Sequence, residues 1–194
     1  MIQTVNKQII DEREPGVEPK KFVLWLLLVS SIMLFAGFTS AYIVRRGEGE
    51  WVVFELPIMF MLNTGVVVLS SVFMQWAYIS AKKDELNQTK LGLGLAIVLG
   101  TLFCIMQYWG WSQMVYNSIY FGFANPSGSF VYVITGLHMA HVIIGILYLV
   151  IIFIQTFRFK VHKKAIRGIA MCNTYWHFVG ILWIYLYVFL LLNR

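Results

Sequence analysis

Five apolar stretches without a single Asp, Glu, Lys or Arg occupy most of this 194-residue chain: Phe22–Val44, Pro57–Ser80, Leu91–Met114, Ser129–Phe157 and Asn173–Leu192. An α-helix rises about 1.5 Å per residue, so roughly 20 residues cross a hydrocarbon layer about 30 Å thick. Each stretch is long enough. One apolar helix could be the core of a soluble domain, but five in succession, parted by short charged or Gly/Asn-rich loops, predict an all-α polytopic membrane protein with five transmembrane helices. The hydrophobic fraction of 59% and mean hydropathy of +0.73 belong to that class rather than to an oversized soluble core.

The first 21 residues carry four acids and four Lys/Arg before the hydrophobic run. That composition does not fit a cleavable signal peptide, so the first stretch is expected to remain as a span. The domain reading is a cytoplasmic N-terminal segment, 1–21, followed by one five-helix transmembrane domain, 22–194. Lys and Arg are shared unequally between the two sides. The N-terminal segment and the second and fourth loops hold 12 of the 15, and the first loop, third loop and C-terminal end hold 3. The positive-inside rule then places the N-terminus in the cytoplasm and the C-terminus outside. Arg158, Lys160, Lys163, Lys164 and Arg167 make the fourth loop the strongest local signal, a basic face suited to anionic lipid head groups or an acidic partner. Nucleic acid is not an expected partner, because no soluble domain presents these charges as a groove. Cys104 falls inside the third stretch and Cys172 at the cytoplasmic start of the fifth, which gives no export-side disulfide.

Within the spans, small residues mark where helices can approach closely. The first has Ser30, Ser31, Gly37, Ser40 and Ala41 among bulky side chains. The third has a clearer stripe, with Gly92, Ala96, Gly100 and Cys104 recurring every four residues and Gln107 and Trp111 continuing roughly that side. Pro57 suits the first turn of the second helix, where its missing N–H costs nothing; Asn63, Ser70 and Gln75 are the polar points beyond it. The loop from Arg45 to Leu56, with two glycines and three glutamates, is expected to be a short hydrated surface loop. Tyr116, Tyr120, Phe121 and Phe123 suit an outer interfacial belt.

Three histidines lie in the spans, and ionisable groups in hydrocarbon usually face a bundle interior or a wet cavity. His138 and His141 are three residues apart and can face a common cavity with Gly145 on the same flank; His177 sits in the fifth stretch. Histidines three apart on one helix are poorly placed as opposite axial haem ligands, and no Cys/His/Asp/Glu cluster completes a metal shell. Packed, hydrogen-bonded neutral imidazoles reaching water or lipid phosphate are the favoured reading, with no catalytic, metal or cofactor-binding residue assigned. No acid within the spans could orient a Ser–His pair, and no nucleophile elbow occurs. An independent transporter and a membrane haem protein are the competing classes, although neither interrupted spans nor a charged substrate site supports the first.

Two longer motifs are more specific. The run Ile134-Thr135-Gly136-Leu137-His138-Met139-Ala140-His141-Val142-Ile143-Ile144-Gly145 resembles a signature of subunit III of haem–copper oxidases. Tyr175-Trp176-His177-Phe178-Val179, followed by Trp183, is similar to the final-helix motif of the same family. Leu62-Asn63-Thr64 with Ser70-Ser71, and Phe35-Ala36-Gly37-Phe38, fit its earlier helices in the right order. The likeness runs over about residues 22–192 and favours the compact five-helix form, which lacks the first two helices of the seven-helix form.

That resemblance implies a non-catalytic accessory subunit of an aerobic respiratory oxidase. Cytochrome c oxidase is the preferred assignment and a quinol oxidase the alternative. The expected partners are catalytic subunit I, subunit II, other respiratory-complex subunits and phospholipids. Haems and copper would belong to the partner subunits and none to this chain, while bound phospholipid is expected here. Through the matched motifs His138, His141, His177 and Trp176 become lipid-cleft or structural residues, and Gly136 and Gly145 join the spacing-derived stripe of Gly92, Ala96 and Gly100 as helix-packing residues. The implied location is a bacterial cytoplasmic membrane. The family's embedded carboxylates are missing: Ile32 stands at a place often held by glutamate, Gln107-Tyr108-Trp109-Gly110-Trp111 replaces a Gln-x-x-Glu-Tyr pattern, and Gly180 replaces the acid after Trp-His-Phe-Val. Roles that need those acids are not carried over; the packing role is.

Overall fold

A computed structural model describes residues 19–49, 51–122, 126–158 and 163–193. Five helices follow one another: α1 (Pro19–Gly47), α2 (Ile58–Lys82), α3 (Leu86–Tyr116), α4 (Pro126–Arg158) and α5 (Lys163–Leu192). Each is long and apolar enough to cross a bilayer. Most of the N-terminal segment, Phe123, Asn125 and Lys160, together with the side chains of Arg158, Lys163 and Lys164, lie outside the described residues.

Apart from the start of α2 and the end of α5, the helices overrun the uncharged stretches, because a helix carries its backbone hydrogen bonds into the interface wherever polar side chains meet water. The largest extension is at α5, which begins at Lys163 rather than near Asn173. Cys172 is accordingly a fully buried residue well inside α5, not one at its start. Pro57 stands just before α2, at φ −55° and ψ 140°, and helps end the extended segment before the helix. The turn between α2 and α3 is three residues long, and Asp84 enters the left-handed region at φ 58°, a conformation Asp tolerates better than most residues. So short a connection forces α2 and α3 to lie antiparallel and side by side.

Helices α2, α3, α4 and α5 close a ring, with α2 on α3 and α5, and α4 on α3 and α5; α1 leans on the outside of α4 and α5. The buried face of α3 runs Thr89, Gly92, Leu93, Ala96, Gly100, Phe103, Gln107, Gly110 and Met114, a stripe at helical spacing. It turns through Phe103 rather than Cys104, which is only half buried. On α1 the buried stripe is Leu28, Ser31, Phe35, Thr39 and Tyr42. Of the small residues in α1, Ser31 alone is buried, and nothing lies within 4 Å of a Cβ built on Gly37. No described residue of the loop between α1 and α2 is buried, but two contacts pin it to the bundle. The Trp51 ring centroid lies 4.6 Å from that of Tyr42, and Ser127 Oγ donates to the carbonyl of Val52 at 2.8 Å. Tyr116, Tyr120 and Phe121 remain exposed near the same end.

Candidate functional site: the histidine and tryptophan core

Trp176 joins all four helices of the ring. Its six-membered ring edge lies where a Cβ on Gly100 of α3 would come within 2.7 Å, and a Cβ on Gly145 of α4 within 3.0 Å. These two glycines form a slot for a side chain and not for a backbone, so Gly100 makes room for the Trp176 indole rather than for a helix axis. The indole N–H donates to Ser70 Oγ on α2 at 3.0 Å, and that hydroxyl donates to the Ala96 carbonyl on α3 at 3.2 Å. The nearest backbone approach is instead at Gly92, whose Cβ would lie 2.9 Å from Ala77 Cβ and 3.1 Å from its backbone. Gly136 is not under pressure, because a Cβ there would meet Trp111 at 3.9 Å, an ordinary contact.

The same arrangement of indole, hydroxyl and carbonyl recurs twice. Trp183 Nε1 donates to Thr64 Oγ1 at 3.1 Å, and Thr64 donates to the Phe60 carbonyl at 3.0 Å. Trp111 Nε1 donates to Thr135 Oγ1 at 3.0 Å, and Thr135 donates to the Val131 carbonyl at 2.7 Å. In hydrocarbon an unpaired indole N–H costs free energy that a hydroxyl on the neighbouring helix removes. Large apolar rings therefore tie helices together with direction as well as area. Phe60 stacks on Trp183 at 5.9 Å, and Phe103 meets it edge-on at 5.0 Å.

The histidines are divided among three helix contacts. His138 is fully buried on α4, and its Nε2–H donates to the Val179 carbonyl on α5 at 3.1 Å. Rings of Phe35, Phe103 and Trp183 surround it. His141, one turn on, uses Nδ1–H on the Leu137 carbonyl at 2.8 Å, and its Nε2 lies 3.2 Å from Ser31 Oγ on α1. His177 on α5 donates from Nε2 to Gln75 Oε1 on α2 at 3.1 Å. The pair expected to face one cavity thus holds two different neighbours, because residues three apart on a helix are separated by about 60° around its axis. Gln107 is also engaged, accepting from Asn63 Nδ2 at 2.9 Å in a fully buried α2–α3 pair.

Among the described residues no three His, Cys, Asp or Glu side chains gather as a metal site. A groove of about 440 Å³ lies where α1 leans on α4 and α5, lined by Lys20, Leu24, Leu27, Ile144, Tyr148 and Tyr175 among others. It is apolar along its length, with Lys20 at the end near the start of α1.

A family model for cytochrome c oxidase subunit III matches residues 50–193. The chain belongs to that family. Curated relatives agree. Cytochrome c oxidase subunit 3 of Pelomedusa subrufa is 36% identical over 185 residues, covering 87% of this chain and 67% of the relative. The Homo sapiens protein of that name is 31% identical with the same coverage. That of Petromyzon marinus is 29% identical over 191 residues, covering 90% of this chain and 69% of its own length. A subunit III-type chain is a non-catalytic, accessory member of the respiratory oxidase. Its two histidine motifs are where the helices α4 and α5 meet each other and their neighbours.

The sequence marks Trp176, the three histidines and Ser70, but nothing in it pairs the hydroxyls of Ser70, Thr64 and Thr135 with the indoles they serve. Thr64 and Thr135 carry no signal of their own: one hydroxyl per turn is ordinary in a membrane helix. The signal that could have found them is the number of tryptophans in the spans, each of which needs an acceptor when buried.

Proposed function

We propose that this chain is the accessory subunit III of a bacterial cytochrome c oxidase, built into the cytoplasmic membrane with its N-terminus inside and its C-terminus outside. It packs beside the catalytic subunit, which with subunit II carries the haems and copper. The match to the family over residues 50–193 carries this reading. The bundle geometry supports it: His138, His141, His177 and Gln107 each reach from one helix to another. In the proposed role His138, His141 and Trp176 are structural. A phospholipid acyl chain occupies the groove beside α1, its phosphate held near Lys20 at the cytoplasmic surface. Lys82 over the Tyr78 ring at 4.4 Å and Lys90 over the Phe157 ring at 4.3 Å mark the same surface, in keeping with the 12-to-3 division of Lys and Arg.

The test is removal of this chain from the assembled oxidase. The partner's haem spectrum should remain and oxygen consumption should begin, then decay sooner than in the complete complex. Immediate loss of haems and activity from an intact catalytic subunit, or an unchanged turnover lifetime, would overturn the accessory, protective role. A partner subunit with a dinuclear-copper thiolate site identifies cytochrome c as donor; its absence from a quinol-oxidising complex would replace that part of the reading. Orientation is tested separately by cysteine labelling at Lys83, which should react only from the cytoplasmic side.

A further inference from the structure

A second groove, of about 520 Å³, runs between α2 and α5. Its walls are Val67, Val68, Val72, Trp76, Ile181 and Ile184, and three polar side chains break that apolar surface: Ser71, Gln75 and His177. Gln75 and Ser71 are four apart on α2 and so share a face. Gly180 supplies the floor, where a Cβ would stand 3.1 Å from Ser71 Oγ; any side chain there would crowd that hydroxyl.

The three polar groups retain unused hydrogen-bonding capacity. Gln75 Oε1 accepts from both Asn173 Nδ2 at 3.0 Å and His177 Nε2 at 3.1 Å, so its oxygen is fully used while its NH₂ donors have no partner among the described residues. Because the amide oxygen only accepts, His177 carries its proton on Nε2, and Nδ1 is left as a lone-pair acceptor. Ser71 makes no hydrogen bond among those described. Ser31, Thr39, Thr64, Thr101 and Thr135 behave differently, each donating to the carbonyl four residues back. Unsatisfied donors and acceptors are expensive at membrane depth. Here they are set side by side on one groove.

We propose that this groove binds the uncharged ring head of a hydroxyl-bearing lipophile, of the kind a membrane quinol presents. The hydroxyl donates to His177 Nδ1, and its oxygen accepts from Gln75 Nε2 or Ser71 Oγ. The absence of a cation from the lining disfavours a phosphate. Depth argues the same way: Gln75 lies seven residues, or about 10 Å, inside Lys82, below the level of phospholipid head groups. The volume lies in the range of small-molecule pockets, and Trp76 offers a flat apolar wall. The site binds and orients; no electron or proton transfer is assigned to it.

The test uses the intact oxidase in nanodiscs and a short-tailed quinol with a diazirine in its tail, with photolabelled peptides mapped by mass spectrometry. Label should fall on residues 67–79 and 177–184. Methylating the hydroxyls of the head should lower that labelling about five- to tenfold, the effect of one hydrogen bond lost with its partner left bare. Gln75→Leu and His177→Phe should lower quinol labelling by similar factors without changing the methylated probe. Val72→Trp, which fills the groove from an exposed lining position, should abolish both. Equal labelling by both heads in the native complex would reduce the groove to a general acyl-chain surface. No labelling of these peptides while the chain is present would mean that a neighbouring subunit covers it. Either result overturns the proposal and leaves the subunit III assignment standing, since that rests on the family match and is tested by turnover of the oxidase with and without this chain.

Discussion

Helices α1 and α5 are both apolar enough to span a membrane, yet half of α5's most apolar window is buried inside the bundle against 22% of α1's. The difference is in how each is held. α5 places Trp176 and Trp183 into slots and hydrogen bonds on its neighbours, and meets both α2 and α4. α1 presents one narrow stripe to α4 and α5, and polar contacts support it at intervals. Ser31 approaches His141, Thr39 Oγ1 lies 3.2 Å from the Tyr185 hydroxyl, and the Tyr42 hydroxyl donates to the Asn193 carbonyl at 3.0 Å. Hydrocarbon gives no hydrophobic drive for helices to associate, so shape complementarity and hydrogen bonds decide which helix is core and which is peripheral. The family model, too, begins at residue 50, after α1.

The sharpest challenge to this division is Trp176→Ala. It empties the slot between Gly100 and Gly145 and leaves Ser70 without its donor. The expected loss is about 3–5 kcal/mol, read as a large drop in the thermal midpoint of the solubilised complex. A variant as stable as the parent would remove Trp176 from the centre of the fold. Gly100→Leu attacks the same slot from α3. With the first added carbon already 2.7 Å from the indole, overpacking of about 1–3 kcal/mol should appear as poor recovery of this chain with the oxidase.

Effects on α1 should be smaller. Ser31→Ala removes one interhelical contact to His141 and is expected to cost about 0.6 kcal/mol, a typical value for a hydrogen bond between membrane helices. Hydrogen exchange should show α1 opening more readily while α2–α5 remain protected. Exchange rising equally in all five helices would make α1 part of the core. Gly37→Leu should be nearly silent, within about 0.5 kcal/mol, because nothing lies within 4 Å of the added carbon. A marked loss of assembly with unchanged stability of the isolated chain would instead place α1's outer face against a partner subunit.

The sequence by itself determined the fold class, the number of spans, their order and the family. Uninterrupted uncharged runs of bilayer length are a local property, and so are the two histidine motifs. Sequence also marked Gly92, Ala96 and Gly100 as one stripe, because helical spacing is local as well. It did not distinguish the uses of those residues. Gly92 admits the backbone of Ala77 and Gly100 admits the indole of Trp176, and which one a glycine meets depends on the tilt and rotation of another helix. Nor did it separate His138 from His141, whose angular offset of about 60° meant little until α1 and α5 were in position on either side. The groove between α2 and α5 existed only once Ser71 and Gln75 were brought to one depth with His177, 102 residues beyond Gln75 along the chain. Partner choice among helices is non-local, set by shape and by hydrogen-bond direction across the bundle. Tertiary structure therefore decided it.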